Sequence, residues 1–284
     1  MGVYLMYIIR ICQKYFFISL FFVSSIVFAD QSSITKDKIQ NFYNAVVSID
    51  SIVPDEARTS KSLGTVRQGS GVIIDQNNIL TIGYIVIEAS EIIIGLPNGK
   101  KIPGKLTGYD HSSGFGIVSP IIKTSLTPLK IGDSNKIELD DNLLILPSPN
   151  KGVGSVVKMV SRRPFIGWWE YLLENPIYTL PMNDSWAGSP LINHKGEILG
   201  IGSLFVADAA LPGTLSPGNM FVPINLLRPI LKEIGFIYMI STLIMFCMIV
   251  SNVIRIMFFL PVINGLIVHV MEMEHAIGVV VHMD

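Results

Sequence analysis

The 284-residue chain has only two cysteines, Cys12 and Cys247, and both lie in apolar terminal segments. The stretch between them has no thiol, which excludes a disulfide framework, thiol chemistry and a cysteine-based metal site there. Charge is scarce too: 15% of residues are Asp, Glu, Lys or Arg, against roughly 25% in an average soluble domain. The deficit sits at the ends. Residues 1–29 carry only Arg10 and Lys14, and residues 236–284 carry only Arg255, Glu272, Glu274 and Asp284. The other charges fall within residues 30–235, at a density that a folded domain carries, and the formal net charge of the whole chain is −1. That balance excludes a basic face for nucleic acid. The composition also excludes a disordered chain and a polytopic membrane protein.

The termini read as segments of another kind. Arg10 and Lys14 precede the apolar run Tyr15–Phe28, and Val27-Phe-Ala29 has the form of a cleavage site before Asp30. Residues 1–29 therefore read as a secretory signal, with an uncleaved N-terminal anchor as the alternative. Either reading puts the domain outside the cytoplasm. At the other end, Phe236–Ile254 is uncharged and long enough to span a bilayer. A membrane anchor, a segment from a disrupted reading frame, and a buried or oligomer-forming helix all fit residues 236–284. The first of these would bring membrane association through residues 236–268. His269, His275 and His282 match no standard ligand spacing, so no metal is expected, and nothing points to a cofactor.

The middle reads as β structure. Val46–Ile49, Ser70–Ile74, Ile79–Thr81, Glu91–Ile94 and Phe115–Val118 are short, β-branched and bounded by turn residues. Leu143–Leu146, Val156–Met159, Pro190–Ile192, Ile198–Ile201 and Met220–Ile224 continue the series. Breaks at Asp75–Asn78, Pro97–Gly99, Asp133–Asn135 and His194–Gly196 separate them, which suggests a barrel or sandwich. Helical spacing is clear in two places: Ile39, Phe42 and Val46 after Thr35, and Ile224–Ile234, which closes the domain. The fold class is all-β with a short flanking helix at each end and an apolar C-terminal helical tail. The expected organisation is signal at 1–29, N-terminal helix and first strand at 30–60, and first barrel at 61–125. The second barrel with its closing helix follows at 126–235, and the hydrophobic tail at 236–284. Arg162-Arg-Pro164 reads as a solvated turn, Trp168–Tyr171 as an aromatic edge or loop of the second barrel, and Ala207–Gly218 as a flexible surface loop. Asn183-Asp-Ser185 matches a glycosylation sequon, of little weight in a bacterial chain.

An ordered set of motifs carries more. Gly69-Ser-Gly-Val-Ile-Ile-Asp75, Ile79-Leu-Thr81, Asn98-Gly99, Gly108-Tyr-Asp110, Asn183-Asp-Ser-Trp-Ala-Gly-Ser-Pro-Leu191 and Gly196-Glu-Ile-Leu-Gly-Ile201 follow one another along the middle. In this order they resemble trypsin-like serine proteases of the HtrA/DegP type, from about residue 45 to 232. The resemblance implies two six-stranded antiparallel β-barrels packed face to face, with a peptide cleft between them and a Ser/His/Asp triad.

The triad is where this sequence departs. At the positions that the resemblance gives to the base, the acid and the nucleophile stand Tyr84, Gly114 and Ala187. Acyl transfer needs a hydroxyl nucleophile, a base for its proton and a carboxylate that holds the base. Ala187 has no hydroxyl, a phenol ionising near pH 10 is a poor base at neutrality, and Gly114 has no carboxylate. The first glycine of the nucleophile motif, whose N–H helps form the oxyanion hole in that family, is here Ser185. His111 reads as part of a polar turn, while Ser185 and Ser189 flank the nucleophile position without an evident base.

The expectation is therefore a catalytically inactive homologue that binds peptide, an unfolded segment or a partner protein such as an active protease relative. In that family the strand after the nucleophile motif pairs with substrate backbone. The residues expected to line the cleft are Ser185, Trp186, Gly188, Gly202, Ser203 and Leu204. A serine endopeptidase acting in envelope protein quality control is the alternative.

Overall fold

β-Branched stretches between residues 46 and 120 close on themselves in the computed structural model, which describes residues 36–231 apart from 123, 126 and 168–171. Strands β1 (Val46–Ile52), β2 (Val66–Ile73), β3 (Ile79–Ile82), β4 (Glu91–Gly95), β5 (Lys101–Tyr109) and β6 (Phe115–Pro120) form a closed barrel. Its order is β1-β2-β3-β6-β5-β4, with antiparallel neighbours throughout. Closure leaves no free edge to template a foreign strand. Ile49, Val72, Ile79, Leu80, Ile94, Ile117 and Val118 are all buried in it.

A two-residue strand, β7 (Lys130–Ile131), leads into the second half. There β8 (Asn142–Ile145), β9 (Ser155–Ser161), the small hairpin β10 (Phe165–Ile166) and β11 (Leu172–Leu173), and β12 (Ile177–Leu180) precede β13 (Pro190–Ile192), β14 (Glu197–Val206) and β15 (Gly218–Pro223). Six of these run β13-β8-β9-β12-β15-β14, and the β13–β14 pairing closes a second antiparallel barrel. β7 adds to β14 in parallel. Leu143, Ile145, Val157, Met159, Ile177, Leu191, Leu199 and Phe221 form its core cluster. The chain is thus built as two six-stranded antiparallel barrels with few short helices.

The barrels meet where β2 touches the loop before β13. Ser70 N–H donates to the Ala187 carbonyl (2.9 Å), Ser148 N–H to Ser70 Oγ (2.9 Å), and Thr81 Oγ1 to the Ser70 carbonyl (2.7 Å). Gly188 has φ +71°, and a Cβ there would lie 2.0 Å from the Ser70 carbonyl oxygen, so only glycine fits this approach. At the rim of the contact, Lys151 pairs with Asp50 of β1 at 2.6 Å.

The helix α1 (Lys36–Tyr43) buries Phe42 against Gly196, and its Tyr43 hydroxyl accepts Gly154 N–H at 3.0 Å. It stops short of Val46, which the helical spacing had included. Val46 instead opposes Val72 in the barrel, where a β-branched side chain suits the pleat. At the other end a 3₁₀ turn, Ile224–Leu226, runs into helical residues 227–231.

Two further expectations are corrected. Arg162 and Arg163 are not a solvated turn: Arg162 donates to the carbonyls of Ser134 and Asn175. Burial lowers the pKa of its guanidinium. Arg163 pairs with Asp208 at 2.9 Å and lies 4.2 Å over the Tyr178 ring. Residues 207–218 form a closed turn rather than a loose loop, with Ala209 N–H on the Ser216 carbonyl, Ser216 N–H on the Ala207 carbonyl, and Ala209 fully buried. Trp168–Tyr171, the leader and the tail, with both cysteines and the clustered histidines, lie outside the described residues. Among the described residues no helix is long and apolar enough to cross a membrane.

Candidate functional site

β3 ends in a 3₁₀ turn, Gly83–Ile85, that carries Tyr84 between the barrels. Gly83 N–H donates to the Gly114 carbonyl at 2.7 Å, so the residue before Tyr84 is bonded to Gly114. Gly114 itself has φ +74° and donates its N–H to the Asp110 carbonyl at 2.8 Å. A residue with a Cβ costs roughly 1–2 kcal/mol in that left-handed conformation. An aspartate at residue 114 would therefore sit in a disfavoured backbone conformation.

Asp110, four residues before Gly114, is engaged within its own loop. It accepts Ser112 Oγ at 2.7 Å, Ser113 N–H at 2.7 Å and Ser113 Oγ, closing the loop before β6. Burial pushes its pKa up, but the hydrogen bonds from Ser113 and Ser112 outweigh that and hold it below the ordinary value. His111 is exposed and sits edge-on to Tyr109, with ring centroids 4.5 Å apart.

The loop of Ala187 is held on every side by its own chain. Ala187 gives its carbonyl to Ser70, Gly188 N–H donates to the Gly202 carbonyl (2.9 Å), and Gly202 N–H donates to the Ser189 carbonyl (2.9 Å). Both neighbouring hydroxyls are committed to carbonyls: Ser185 Oγ to Lys151 (2.7 Å) and Ser189 Oγ to Ser185 (2.6 Å). Ser185 N–H donates to Asn183 Oδ1 at 2.8 Å. Asn183 is buried, its amide donating to the Val153 carbonyl and Ser155 Oγ while its own backbone pairs with the Asn219 side chain. The donor that the resemblance assigns to an oxyanion hole is thus occupied by a fixed side chain.

Ser185, Trp186, Gly188, Gly202, Ser203 and Leu204 come together around this loop. A Cβ on Gly202 would lie 1.9 Å from the Trp186 carbonyl oxygen, so loop and strand are in direct contact. Gly188, Gly202 and Ser203 are buried, whereas Ser185, Trp186 and Leu204 keep partial exposure. The Trp186 and Phe205 rings lie 6.3 Å apart, and Phe205 is 44% exposed. Tyr84, half-buried, donates its hydroxyl to the Ser203 carbonyl at 2.9 Å.

Sequence reasoning places Asn183 in a sequon and at the head of the nucleophile motif but gives its side chain no role, and it passes over Arg67. Arg67 is 5% exposed, a charge inside a strand. It donates to the carbonyls of Gly64, Tyr84 and Ile87 and to Thr59 Oγ1, at 2.7–3.1 Å. Burial lowers its pKa and Glu88 works against that shift. The signal was a lone arginine amid otherwise uncharged strand residues. Elsewhere, a polar cavity of about 560 Å³ on the second barrel is lined by Asp133, Lys136, Asp141, His194, Lys195 and Arg228 among others. It shares no lining residue with the Ala187 loop. Among the described residues no cluster of His, Cys, Asp or Glu could hold a metal ion.

Two closed barrels and a loop before β13 wedged against β2 frame this site. Residues 69–201 match the family model described as a trypsin-like peptidase domain. The chain is 30% identical over 171 residues to the periplasmic pH-dependent serine endoprotease DegQ of Escherichia coli K12, covering 58% of this chain and 37% of that one. It is 31% identical over 144 residues to the periplasmic serine endoprotease DegP of the same organism, covering 49% and 30% respectively. It thus spans about a third of the length of these relatives. Among solved structures, the HtrA-type protease AlgW with tripeptide superposes with a TM-score of 0.54 at 20% identity, over 68% of this chain and 60% of that one. That likeness shows the shared fold.

Proposed function

We propose that this chain is an exported trypsin-fold homologue without peptidase chemistry, which binds an extended peptide or a partner protein in the cell envelope. One observation carries it: Ala187 stands at the nucleophile position within an otherwise complete backbone frame. The Ala187–Ser70, Gly188–Gly202 and Gly202–Ser189 hydrogen bonds hold the loop, yet no hydroxyl in it is free to attack. Tyr84 and Gly114 supply neither base nor acid, and Asn183 takes the Ser185 donor. The residues bet on for binding remain Ser185, Trp186, Gly188, Gly202, Ser203 and Leu204, with Trp186 and Leu204 offering accessible apolar surface.

An envelope setting is supported by the signal-like leader and by relatives named as periplasmic endoproteases. A peptide ligand is supported by the tripeptide named with AlgW. The names of the same relatives favour the second reading, a serine endopeptidase. Casein hydrolysis and labelling by an active-serine phosphonate separate the two. No turnover and no labelling are expected of the purified full chain; a labelled serine whose alanine variant abolishes turnover would establish the endopeptidase instead.

A further inference from the structure

Among the described residues, β14 has a neighbouring strand on both sides up to Gly202 and on one side past it. β14 pairs with β15 from Gly200 to Val206. On its other edge it pairs with β13 from Ile198 to Ile201, and the Ser189–Gly202 contacts extend that pairing to Gly202. Among the described residues no strand continues along that edge past Gly202. The register shifts between Gly202 and Leu204, so Ser203 is the extra residue of a bulge. Its carbonyl receives the hydroxyl of Tyr84, which comes from the other barrel. Trp186 and the exposed Phe205 flank this edge with aromatic surface.

We infer that Tyr84 is a built-in cover of this edge, its hydroxyl standing in for the N–H of an extended peptide at the Ser203 carbonyl. This rests on the peptide-binding reading above and adds a regulation to it. A strand edge is completed by backbone N–H donors from an added chain. Here a side-chain hydroxyl already serves that acceptor, so an incoming peptide exchanges one hydrogen bond for another and gains less. The cover opens by turning a side chain, because its backbone is pinned. Gly83 N–H is held by Gly114, the Tyr84 and Ile87 carbonyls by Arg67, and Ile85 and Val86 are fully buried.

The test is binding of a short fluorescein-labelled casein fragment to the purified full chain, read by anisotropy. Tyr84→Phe keeps the ring and removes the competing donor. It should bind about two- to tenfold more tightly than wild type, the range of one net hydrogen bond. Tyr84→Leu, which keeps apolar bulk, should do the same. Tight binding by wild type with equal or weaker binding by both variants, each with native near-UV dichroism, would overturn the cover alone. Absence of saturable binding in all three proteins would overturn the peptide-binding reading beneath it.

Discussion

Restoring the triad is the most demanding trial of the site. The triple variant Tyr84→His, Gly114→Asp, Ala187→Ser carries every side chain that acyl transfer in this fold requires. It should still fall short of a working peptidase by at least about 10²–10³ in kcat, the loss that follows removal of one oxyanion donor. The reason is Asn183, whose Oδ1 holds the Ser185 N–H at 2.8 Å from a buried position fixed by four further hydrogen bonds. Folding should suffer as well. Aspartate at φ +74° costs about 1–2 kcal/mol, and loss of the Tyr84 hydroxyl about 1 kcal/mol more. Together these lower Tm by roughly 4–10 °C for a domain of this size. Fluorogenic-peptide turnover and phosphonate labelling, run beside DegQ from Escherichia coli, measure the first effect; calorimetry measures the second. Turnover within tenfold of DegQ, or phosphonate labelling of the single variant Ala187→Ser, would refute the reasoning.

Arg67→Met should destabilise the chain by about 3 kcal/mol, since it removes the donors to the Gly64, Tyr84 and Ile87 carbonyls and to Thr59 Oγ1 at once; a urea midpoint close to wild type would contradict this. Asn183→Ala should cost about 2–4 kcal/mol by the same measurement, because its amide serves both Val153 and Ser155 while its oxygen holds Ser185. Asp110 has a folded pKa below its unfolded value, so its contribution is present above the unfolded pKa and is lost as pH falls through the folded one. Stability should therefore decline below about pH 4, and Asp110→Asn should shallow that acid limb; an unchanged slope would count against the Ser112–Ser113 cage.

Most of the barrels was legible because β-branched runs bounded by Asn, Asp, Gly and Pro leave few other options. β5 escaped because Pro103, Gly104 and Gly108 break its pattern and a bulge between Leu106 and Gly108 interrupts its pairing. β12 escaped because it is four residues long and bears no alternation. Arg162 and Arg163 misled for a different reason: paired arginines before a proline look solvated, yet their partners Ser134, Asn175 and Asp208 are distant in sequence. At the site, the motif order singles out Tyr84, Gly114 and Ala187. What it did not disclose was Asn183, because the worth of an amide depends on which backbone groups surround it. Nor did it disclose the Tyr84–Ser203 contact, whose partners lie 119 residues apart.

Ser70 gives the molecule an arrangement with mechanical meaning. One residue of β2 reaches across the divide to Ala187 and Ser148 at once, while Thr81 of its own barrel holds its carbonyl. Pulling either half away would strip the Ser70 N–H and hydroxyl of their partners together, which makes separate melting of the halves costly. A change at Ser70 should therefore be felt in both barrels.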